Sequence, residues 1–250
     1  MKILTKIRNL CEIASHPESI RLKLKEPALD LATFRLCQRL RNQGLNPSVV
    51  FDVGANAGQF AIAATTIWPS ARILSYEPQR EVFNLLKSKA KEYPHIEPRN
   101  MALGAEPELD ALMHVTNQPA SSSLLPLGDG HKQAEPGISE VGVERVQVGT
   151  LQEEMHNLDT VESVLLKMDV QGYEQNVLMG AGDELHFFDW IVFETSCFPL
   201  YDGEATFKEV SQWLCAAGFD FYGPLDIHFA ERSGQLRQFE ALFYSTKPTP

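Results

Sequence analysis

The sequence has few cysteines and no long apolar run, and each shortage excludes a class of protein. The cysteines show no C-x-x-C pair and no Cys/His spacing that would ligate zinc, which predicts reduced thiols without a metal or disulfide role; they are Cys11, Cys37, Cys197 and Cys215. No stretch approaches the roughly 18 consecutive apolar residues that a membrane-spanning helix needs. Residues 1–8 also lack the apolar segment of a signal peptide. We therefore expect a cytoplasmic protein that has no membrane partner.

Positive charge is also in short supply. The chain has 22 Lys and Arg residues against 33 Asp and Glu residues, which gives a formal net charge of -11 at pH 7. Proteins bind nucleic acids mainly through the attraction of cationic side chains for phosphates. The charge balance therefore argues against a nucleic-acid partner.

The length and composition are sufficient for one large core. The chain has 250 residues, of which 44% are hydrophobic, and one α/β domain with an appendage is the simplest organisation. Within residues 1–46, apolar residues such as Ala32, Leu36 and Leu40 recur at helical spacing. We therefore divide the chain into an N-terminal helical extension, residues 1–46, and a domain of residues 47–250. The extension packs on the core or forms a homodimer contact.

The most informative stretch is a glycine-rich turn between a predicted strand and a predicted helix. Val49-Val50-Phe51 is a short apolar run typical of a strand that is buried on both faces. An alanine-rich run over residues 59–64 has good helix propensity. A helix that begins after such a turn has free N–H groups, which suit a phosphate, a carboxylate or a ribose hydroxyl. The turn contains five candidate cofactor-binding residues: Asp52, Gly54, Ala55, Asn56 and Gly58.

Two further predicted strands lead to more candidate cofactor-binding residues. The second strand leads into Glu77 and Pro78, and an acid at this place in a βαβ unit accepts hydrogen bonds from ribose hydroxyls. Residues 96–103 have the composition of a third strand. Its end, at Ala102 and Leu103, either forms a wall for an adenine ring or is an ordinary strand end. The pattern predicts a cofactor that contains a nucleoside.

Acidic residues follow the next two predicted strands. Residues 164–170 form an apolar run that contains Lys167 and Asp169, and residues 190–193 are followed by Glu194. Ligands of open parallel sheets bind beyond the carboxyl ends of the strands, so Asp169 and Glu194 are the candidate catalytic bases. Asp169 could instead hold the cofactor or bond backbone amides at the next helix, and Glu194 could be structural. For Lys167 we expect an ion pair with a neighbouring acid.

Residues 117–141 are rich in Ser, Pro and Gly. A loop of this length in a compact domain is usually a lid or a disordered segment, and we favour a lid over the cofactor. His131 within it is either an acid–base group or a solvated side chain. His228, in a predicted hairpin that closes the fold, either reaches the pocket or lies on the surface.

Together these motifs resemble the FkbM-type methyltransferases, a branch of the class I S-adenosylmethionine-dependent methyltransferases. The similarity extends over residues 48–246 and rests on several pieces in the same order, namely residues 51–58, 77–78, 100–104, 121–124, 166–174 and 177–181 together with Glu194. The resemblance implies a Rossmann-like, doubly wound α/β fold with a seven-stranded, mostly parallel sheet and an antiparallel last strand. It also implies S-adenosylmethionine as the methyl donor. One position departs from the family, which commonly has Glu where this chain has Gln171.

The expected function is therefore methylation with S-adenosylmethionine, usually of a hydroxyl group on a small molecule, a sugar or a natural product. Such an acceptor needs a base, for which Asp169 is the first candidate and Glu194 the second. A Mg²⁺ ion bound by these two acids is an alternative, although the spacing provides no third ligand.

Two other functions compete with this prediction. A nicotinamide-dependent oxidoreductase would have the same fold, but the second glycine of its fingerprint and a Tyr-x-x-x-Lys pair are missing. A nucleoside-binding module without turnover is favoured by Gln171 alone. Cofactor binding and methyl transfer distinguish the three.

Overall fold

The computed structural model describes residues 31–158, 161–229 and 236–246. The strands, in chain order, are β1 (Val49–Val53), β2 (Arg72–Tyr76), β3 (Ile96–Arg99), β4 (Ala102–Leu103), β5 (Glu108–Thr116), β6 (Glu140–Gly149), β7 (Val164–Met168), β8 (Trp190–Ser196), β9 (Phe219–Phe229) and β10 (Leu236–Ser245). The helices are α1 (Leu31–Asn42), α2 (Gln59–Ile67), α3 (Arg80–Ala90), α4 (Asp129–Ala134), α5 (Leu151–His156), α6 (Glu174–Met179) and α7 (Phe207–Ala216), with short 3-10 helices at Pro119–Ser121 and Gly182–Phe187. Across these ranges, no helix combines the length and the apolar composition that crossing a membrane requires.

Seven strands form one large sheet in the order β3-β2-β1-β7-β8-β10-β9. β1 pairs in parallel with β2 and β7, and β7 pairs in parallel with β8. The last strand of the chain, β10, is antiparallel to both of its neighbours, β8 and β9. The predicted mostly parallel sheet with an antiparallel last strand is therefore confirmed. Because the strand order reverses direction between β1 and β7, a ligand crevice is expected at the carboxyl ends of these two strands.

The central strands are buried on both faces, as their continuous apolar runs predict. All five residues of β1 and all five of β7 are buried, including Asp52 and Lys167. Apolar residues of α1, α2 and α3 form the core on one face of the sheet. Those of α5, α6 and α7 form the core on the other face. The sheet thus has a helical layer on each side, which is the Rossmann-like arrangement.

α1 is the described part of the predicted N-terminal extension. Its apolar residues Phe34, Leu36, Cys37 and Leu40 are buried in the core that includes α2. Cys37 is a free thiol. Residues 1–30 lie outside the described residues, so a domain boundary after residue 46 stays a prediction.

A small sheet, in the order β4-β6-β5, is the main feature that the sequence patterns did not predict. The prediction of one strand over residues 96–103 is wrong, because the chain divides there into β3 of the large sheet and β4 of the small one. Asn100 lies at the division, and its side-chain amide donates hydrogen bonds of 3.0 Å to the carbonyl oxygens of Glu77 and Pro78. β4 then pairs in parallel with β6, and β5 pairs antiparallel with β6.

The segment of residues 117–141 contains the helical turn Pro119–Ser121 and helix α4. His131 on α4 is buried, and its ring centroid lies 5.2 Å from that of Tyr201 in an edge-on contact. The expectation that His131 is solvated is therefore wrong, and burial lowers the pKa of its imidazole. A role for the segment as a lid stays a prediction.

Candidate active site

The glycine turn after β1 has the backbone geometry that its sequence predicts. Gly54, Asn56 and Gly58 have positive φ angles of 77°, 48° and 86°. The backbone N–H of Gly54 donates to the carbonyl oxygen of Tyr76 at 3.0 Å, which ties the turn to β2. A Cβ atom on Gly54 would lie 2.0 Å from the carbonyl oxygen of Asp169. Only glycine therefore allows the turn to pack this closely against the chain that follows β7.

Glu77 lies directly after β2 and faces this turn. It is buried, and its two carboxylate oxygens accept hydrogen bonds from the backbone N–H groups of Asn56, at 3.0 Å, and Gln79, at 2.8 Å. Burial raises the pKa of Glu77 to about 7, although these two hydrogen bonds act in the opposite direction. Each carboxylate oxygen has a second lone pair, so Glu77 can also accept a hydrogen bond from a ligand in the adjoining cavity.

That cavity, which we call the first cavity, lies at the carboxyl ends of β1, β2 and β7. It brings together most of the predicted cofactor-binding residues: Gly54, Asn56, Glu77, Pro78, Ala102, Leu103 and Asp169. Ala55 instead lines a neighbouring cavity, while Asp52, in β1, and Gly58, in the turn, are buried and line neither cavity.

The first cavity also has lining residues that the sequence patterns did not predict. They come from β5 and from the segment of residues 117–141, and they include Met113, Pro119, Ser122 and Leu124. Ser122 and Leu124 belong to the piece 121–124 that resembles the family, which is the signal that could have found them. For Met113, the signal was absent because β5 itself was not predicted.

Beneath the glycine turn, Lys167 forms the predicted ion pair with an acid. Its Nζ atom lies 3.3 Å from Asp52 Oδ1 and 4.0 Å from Asp169 Oδ2. It also donates a hydrogen bond of 3.4 Å to the carbonyl oxygen of Gly54. Burial alone would lower the pKa of Lys167, but the charges of Asp52, Asp169 and Glu240 raise it to about 12. A charged Lys167 therefore connects the turn to Asp169.

A second cavity lies beside the first and contains both predicted catalytic residues. It has a volume of about 290 Å³. Gly54, Asn56, Ala120 and Asp169 line both cavities. The acidic residues of the second cavity are Asp169, Glu194, Asp226 and Glu240, and the exposed His228 lies at its edge. Glu240 on β10 is in register with Glu194 on β8, so the pairing of these strands brings the two acids together.

Gln171 connects the two predicted catalytic acids. Its Nε2 atom donates to Asp169 Oδ1 at 2.7 Å and lies 3.4 Å from Glu194 Oε2. Its Oε1 atom accepts a hydrogen bond of 2.8 Å from the hydroxyl group of Tyr201. A glutamate at this position could not donate these bonds when ionised and would place a third carboxylate beside two others. The departure from the family pattern therefore fits the acids that surround it.

The remaining contacts show that the neighbouring acids have different surroundings. Burial, together with the charge of Asp169, raises the pKa of Glu194 to about 8. The side-chain amide of Gln238 donates to Glu194 Oε2 at 3.0 Å. At the start of α6, Glu174 Oε1 accepts a hydrogen bond of 3.1 Å from the backbone N–H of Val170. Glu174 thus makes the backbone contact that was an alternative role for Asp169, while Asp169 lines the two cavities.

The Mg²⁺ alternative gains no support from this arrangement. Within the described ranges, no group of three or more His, Cys, Asp or Glu residues has the arrangement of a metal site. Asp169 and Glu194 are bridged by the amide group of Gln171.

The strand order, the glycine turn, the acid after β2 and the cavity where the strand order reverses define a Rossmann-like protein with a site for a nucleoside cofactor. Residues 52–221 match the family model described as the methyltransferase FkbM domain. The chain belongs to this family of S-adenosylmethionine-dependent methyltransferases, which confirms the resemblance seen in the sequence. The family match gives no support to a nicotinamide-dependent oxidoreductase.

Individual relatives are similar to this chain at low identity. Methyltransferase 1 from Beauveria bassiana (strain ARSEF 2860) is 26% identical over 185 residues, which are 69% of this chain and 72% of that protein. Among solved structures, an RNA methyltransferase candidate from Pyrococcus horikoshii is 12% identical, with a TM-score of 0.48 over 86% of this chain and 85% of that one. Fibrillarin from Aeropyrum pernix, solved with natively bound S-adenosyl-L-methionine, is 12% identical, with a TM-score of 0.38 over 84% and 76% of the two chains. The fold assignment itself rests on the strand order of this chain.

Proposed function

We propose that this methyltransferase transfers the methyl group of S-adenosylmethionine to a hydroxyl group of a small molecule, a sugar or a natural product. The observation that carries the proposal is the position of Asp169, which lines both cavities. A donor in the first cavity and an acceptor in the second would meet beside this residue. Holding two reactants in contact can supply much of the acceleration of such a transfer.

The first cavity is suited to the donor. Glu77 can accept hydrogen bonds from ribose hydroxyls, and Pro78, Ala102 and Leu103 offer apolar surface to an adenine ring. When bound, S-adenosylmethionine supplies an electrophilic methyl group. Asp169, at the boundary with the second cavity, is a carboxylate that can hold the amino group of the donor.

The second cavity is suited to a hydroxyl acceptor. Such an acceptor loses its proton as the methyl group is transferred, and a base works best when its pKa lies near the working pH. Glu194, whose pKa burial raises to about 8, has this basicity. The amides of Gln171 and Gln238 hold its carboxylate through hydrogen bonds. These contacts support Glu194 as the base and Asp169 as the residue that contacts the donor.

The charge of the protein supports a small molecule rather than a nucleic acid as the acceptor. The formal net charge is -11, and the second cavity is lined by several carboxylates. Both features repel a phosphate backbone.

The first experiment is isothermal titration of the purified protein with S-adenosylmethionine, S-adenosylhomocysteine and NAD. Micromolar binding of the first two without binding of NAD supports the proposed cofactor. Binding of NAD, or of none of the three, contradicts it. A screen of hydroxyl compounds with a labelled methyl donor then identifies the acceptor.

Two conservative variants test the division of roles. Asp169→Asn should weaken S-adenosylhomocysteine binding, because it removes the carboxylate that faces the donor. Glu194→Gln should lower kcat by about 100-fold or more, the usual effect of losing a general base, with unchanged S-adenosylhomocysteine affinity. The reverse pattern would exchange the two roles.

A further inference from the structure

The second cavity contains more acids than bases. Lys167 is engaged by Asp52, at 3.3 Å, and also lies 4.0 Å from Asp169. Asp226 pairs with Arg39. The two acids that remain are Glu194 and Glu240. Over the ranges that the structure describes, neither has a cation within ion-pairing distance, although the charge of Lys167 acts on both from farther away.

Of these two glutamates, Glu240 has fewer hydrogen-bond partners. Its Oε2 atom is buried and has no hydrogen-bond partner among the described residues. Glu194, its neighbour across the strand pair, accepts hydrogen bonds from the amides of Gln171 and Gln238. Burying a carboxylate without a compensating donor or cation is costly. An unsatisfied carboxylate that lines a cavity therefore points to a ligand that brings the missing donor.

We propose that the acceptor carries a protonated amine, which binds at Glu240 beside Glu194, in addition to the hydroxyl group that is methylated. This inference rests on the proposed function, because it requires the second cavity to receive the acceptor. An ammonium group donates three hydrogen bonds and carries a positive charge, so it supplies the donor and the charge that Glu240 lacks. A neutral hydroxyl compound supplies donors but no charge, and a carboxylate or phosphate is repelled.

The size of the cavity narrows the class of acceptor. Its volume of about 290 Å³ is at the lower end for ligand pockets. An amino alcohol or a single amino sugar fits this description, as does the corresponding end of a larger molecule.

The test uses the wild-type protein saturated with S-adenosylhomocysteine and measures binding by ligand-observed NMR at pH 7. The probes are 5-amino-1-pentanol, glucosamine and tyramine, each compared with its uncharged N-acetyl counterpart. At least one amine should bind about tenfold or more tightly than its counterpart, the value of one charge-assisted hydrogen bond. Equal or tighter binding of every N-acetyl compound, or no binding by any amine, overturns the proposal. Failure of the protein to bind S-adenosylhomocysteine would instead contradict the proposed function.

A matched pair of variants tests whether Glu240 is the residue that causes the preference for an amine. Glu240→Gln keeps the shape of the side chain and removes its charge, so it should reduce the preference by about tenfold without changing the affinity for S-adenosylhomocysteine. Glu106→Gln makes the same charge change at an exposed position and should leave the preference unchanged. Full retention of the preference in Glu240→Gln overturns the assignment to this residue. If that variant does not fold, the comparison of the paired compounds on the wild-type protein decides the question.

Discussion

At the scale of single residues, Glu77 links the protonation state of the protein to cofactor binding. Burial raises its pKa to about 7. Its carboxylate already accepts hydrogen bonds from the backbone N–H groups of Asn56 and Gln79. The ionised form has free lone pairs for ribose hydroxyls as well, whereas protonation converts one oxygen into a donor. Cofactor affinity is therefore expected to change with pH close to neutrality.

We predict that the affinity for S-adenosylhomocysteine falls about tenfold between pH 8 and pH 6, because protonated Glu77 predominates below its pKa of about 7. Glu77→Gln cannot ionise, so its affinity should be lower at pH 8, by about 1–3 kcal/mol, and should vary little over this range. Isothermal titration at constant ionic strength measures both effects. The same pH dependence in both proteins would assign the titration to another group.

Two glycines with positive φ provide a matched test of the turn after β1. Gly54 has a φ of 77° and Gly44 a φ of 94°. A Cβ atom on Gly54 would lie 2.0 Å from a backbone oxygen, whereas one on Gly44 would have no described atom within 4 Å. Gly44→Ala should therefore cost about 1–2 kcal/mol for the backbone conformation alone. Gly54→Ala should cost at least about 2 kcal/mol more and weaken cofactor binding, because the turn must move away from β7.

Urea unfolding of the two glycine variants measures their stability, and titration with S-adenosylhomocysteine measures cofactor binding. Equal losses of stability would mean that the turn accommodates a methyl group at Gly54. That result would remove the close contact with Asp169 as the reason for glycine at this position.

At the scale of secondary structure, prediction succeeded where the pattern was local. β1 and β7 have continuous apolar runs, and both are buried along their whole length. β5 was missed because only Ala111, Met113 and Thr116 of its nine residues are buried, which gives a weak strand pattern. Glu240 was missed because its place beside Glu194 depends on the long-range pairing of β10 with β8. The lining of the first cavity could therefore be predicted in more detail than that of the second.

The segment between β5 and β6 is the element that we expect to respond to the cofactor. Its residues Pro119 and Ser122 line the first cavity, and the side chain of Gln79 donates a hydrogen bond of 2.9 Å to the carbonyl oxygen of Pro119. If the segment is a lid, saturation with S-adenosylhomocysteine should slow amide hydrogen exchange over residues 117–124 by about tenfold or more. Helix α7 serves as the control. Unchanged exchange over residues 117–124 in the saturated protein would contradict the lid.

At the scale of the whole molecule, the site contains several carboxyl groups, and burial raises the pKa of each of them. The pKa is raised to about 7 for Glu77 and to about 8 for Glu174 and Glu194, and it is also raised for Glu240. Such a group favours the folded state when it is protonated. Its contribution is complete below the ordinary value of 4.5 and is lost as the pH rises through the folded-state pKa. The site therefore lowers the stability of the ligand-free protein at neutral and alkaline pH.

We predict that the free energy of unfolding falls as the pH rises from 5 to 9, most steeply between about pH 5.5 and 6.5, where the unfolded chain has ionised these groups and the folded protein still holds their protons. Glu97 and Glu140 have pKa values that hydrogen bonds lower. Their contribution to stability is therefore lost only as the pH falls below about 4.5, outside this window. Urea unfolding at a series of pH values measures the profile. A flat or rising profile would mean that solvent reaches these carboxyl groups in the folded protein.

The same measurement on Glu240→Gln connects stability to the proposed amine site. Removing a buried carboxylate that lacks a partner should stabilise the ligand-free protein at pH 9 and flatten its profile, while Glu106→Gln should leave both unchanged. The substitution that weakens amine binding is thus expected to stabilise the ligand-free protein. Such opposite effects are expected of a residue retained for binding, because the ligand supplies a positive charge in direct contact with Glu240, whereas Lys167 acts on it only from beyond ion-pairing distance. A destabilised Glu240→Gln protein at pH 9 would instead mean that the carboxylate already has a partner in the fold.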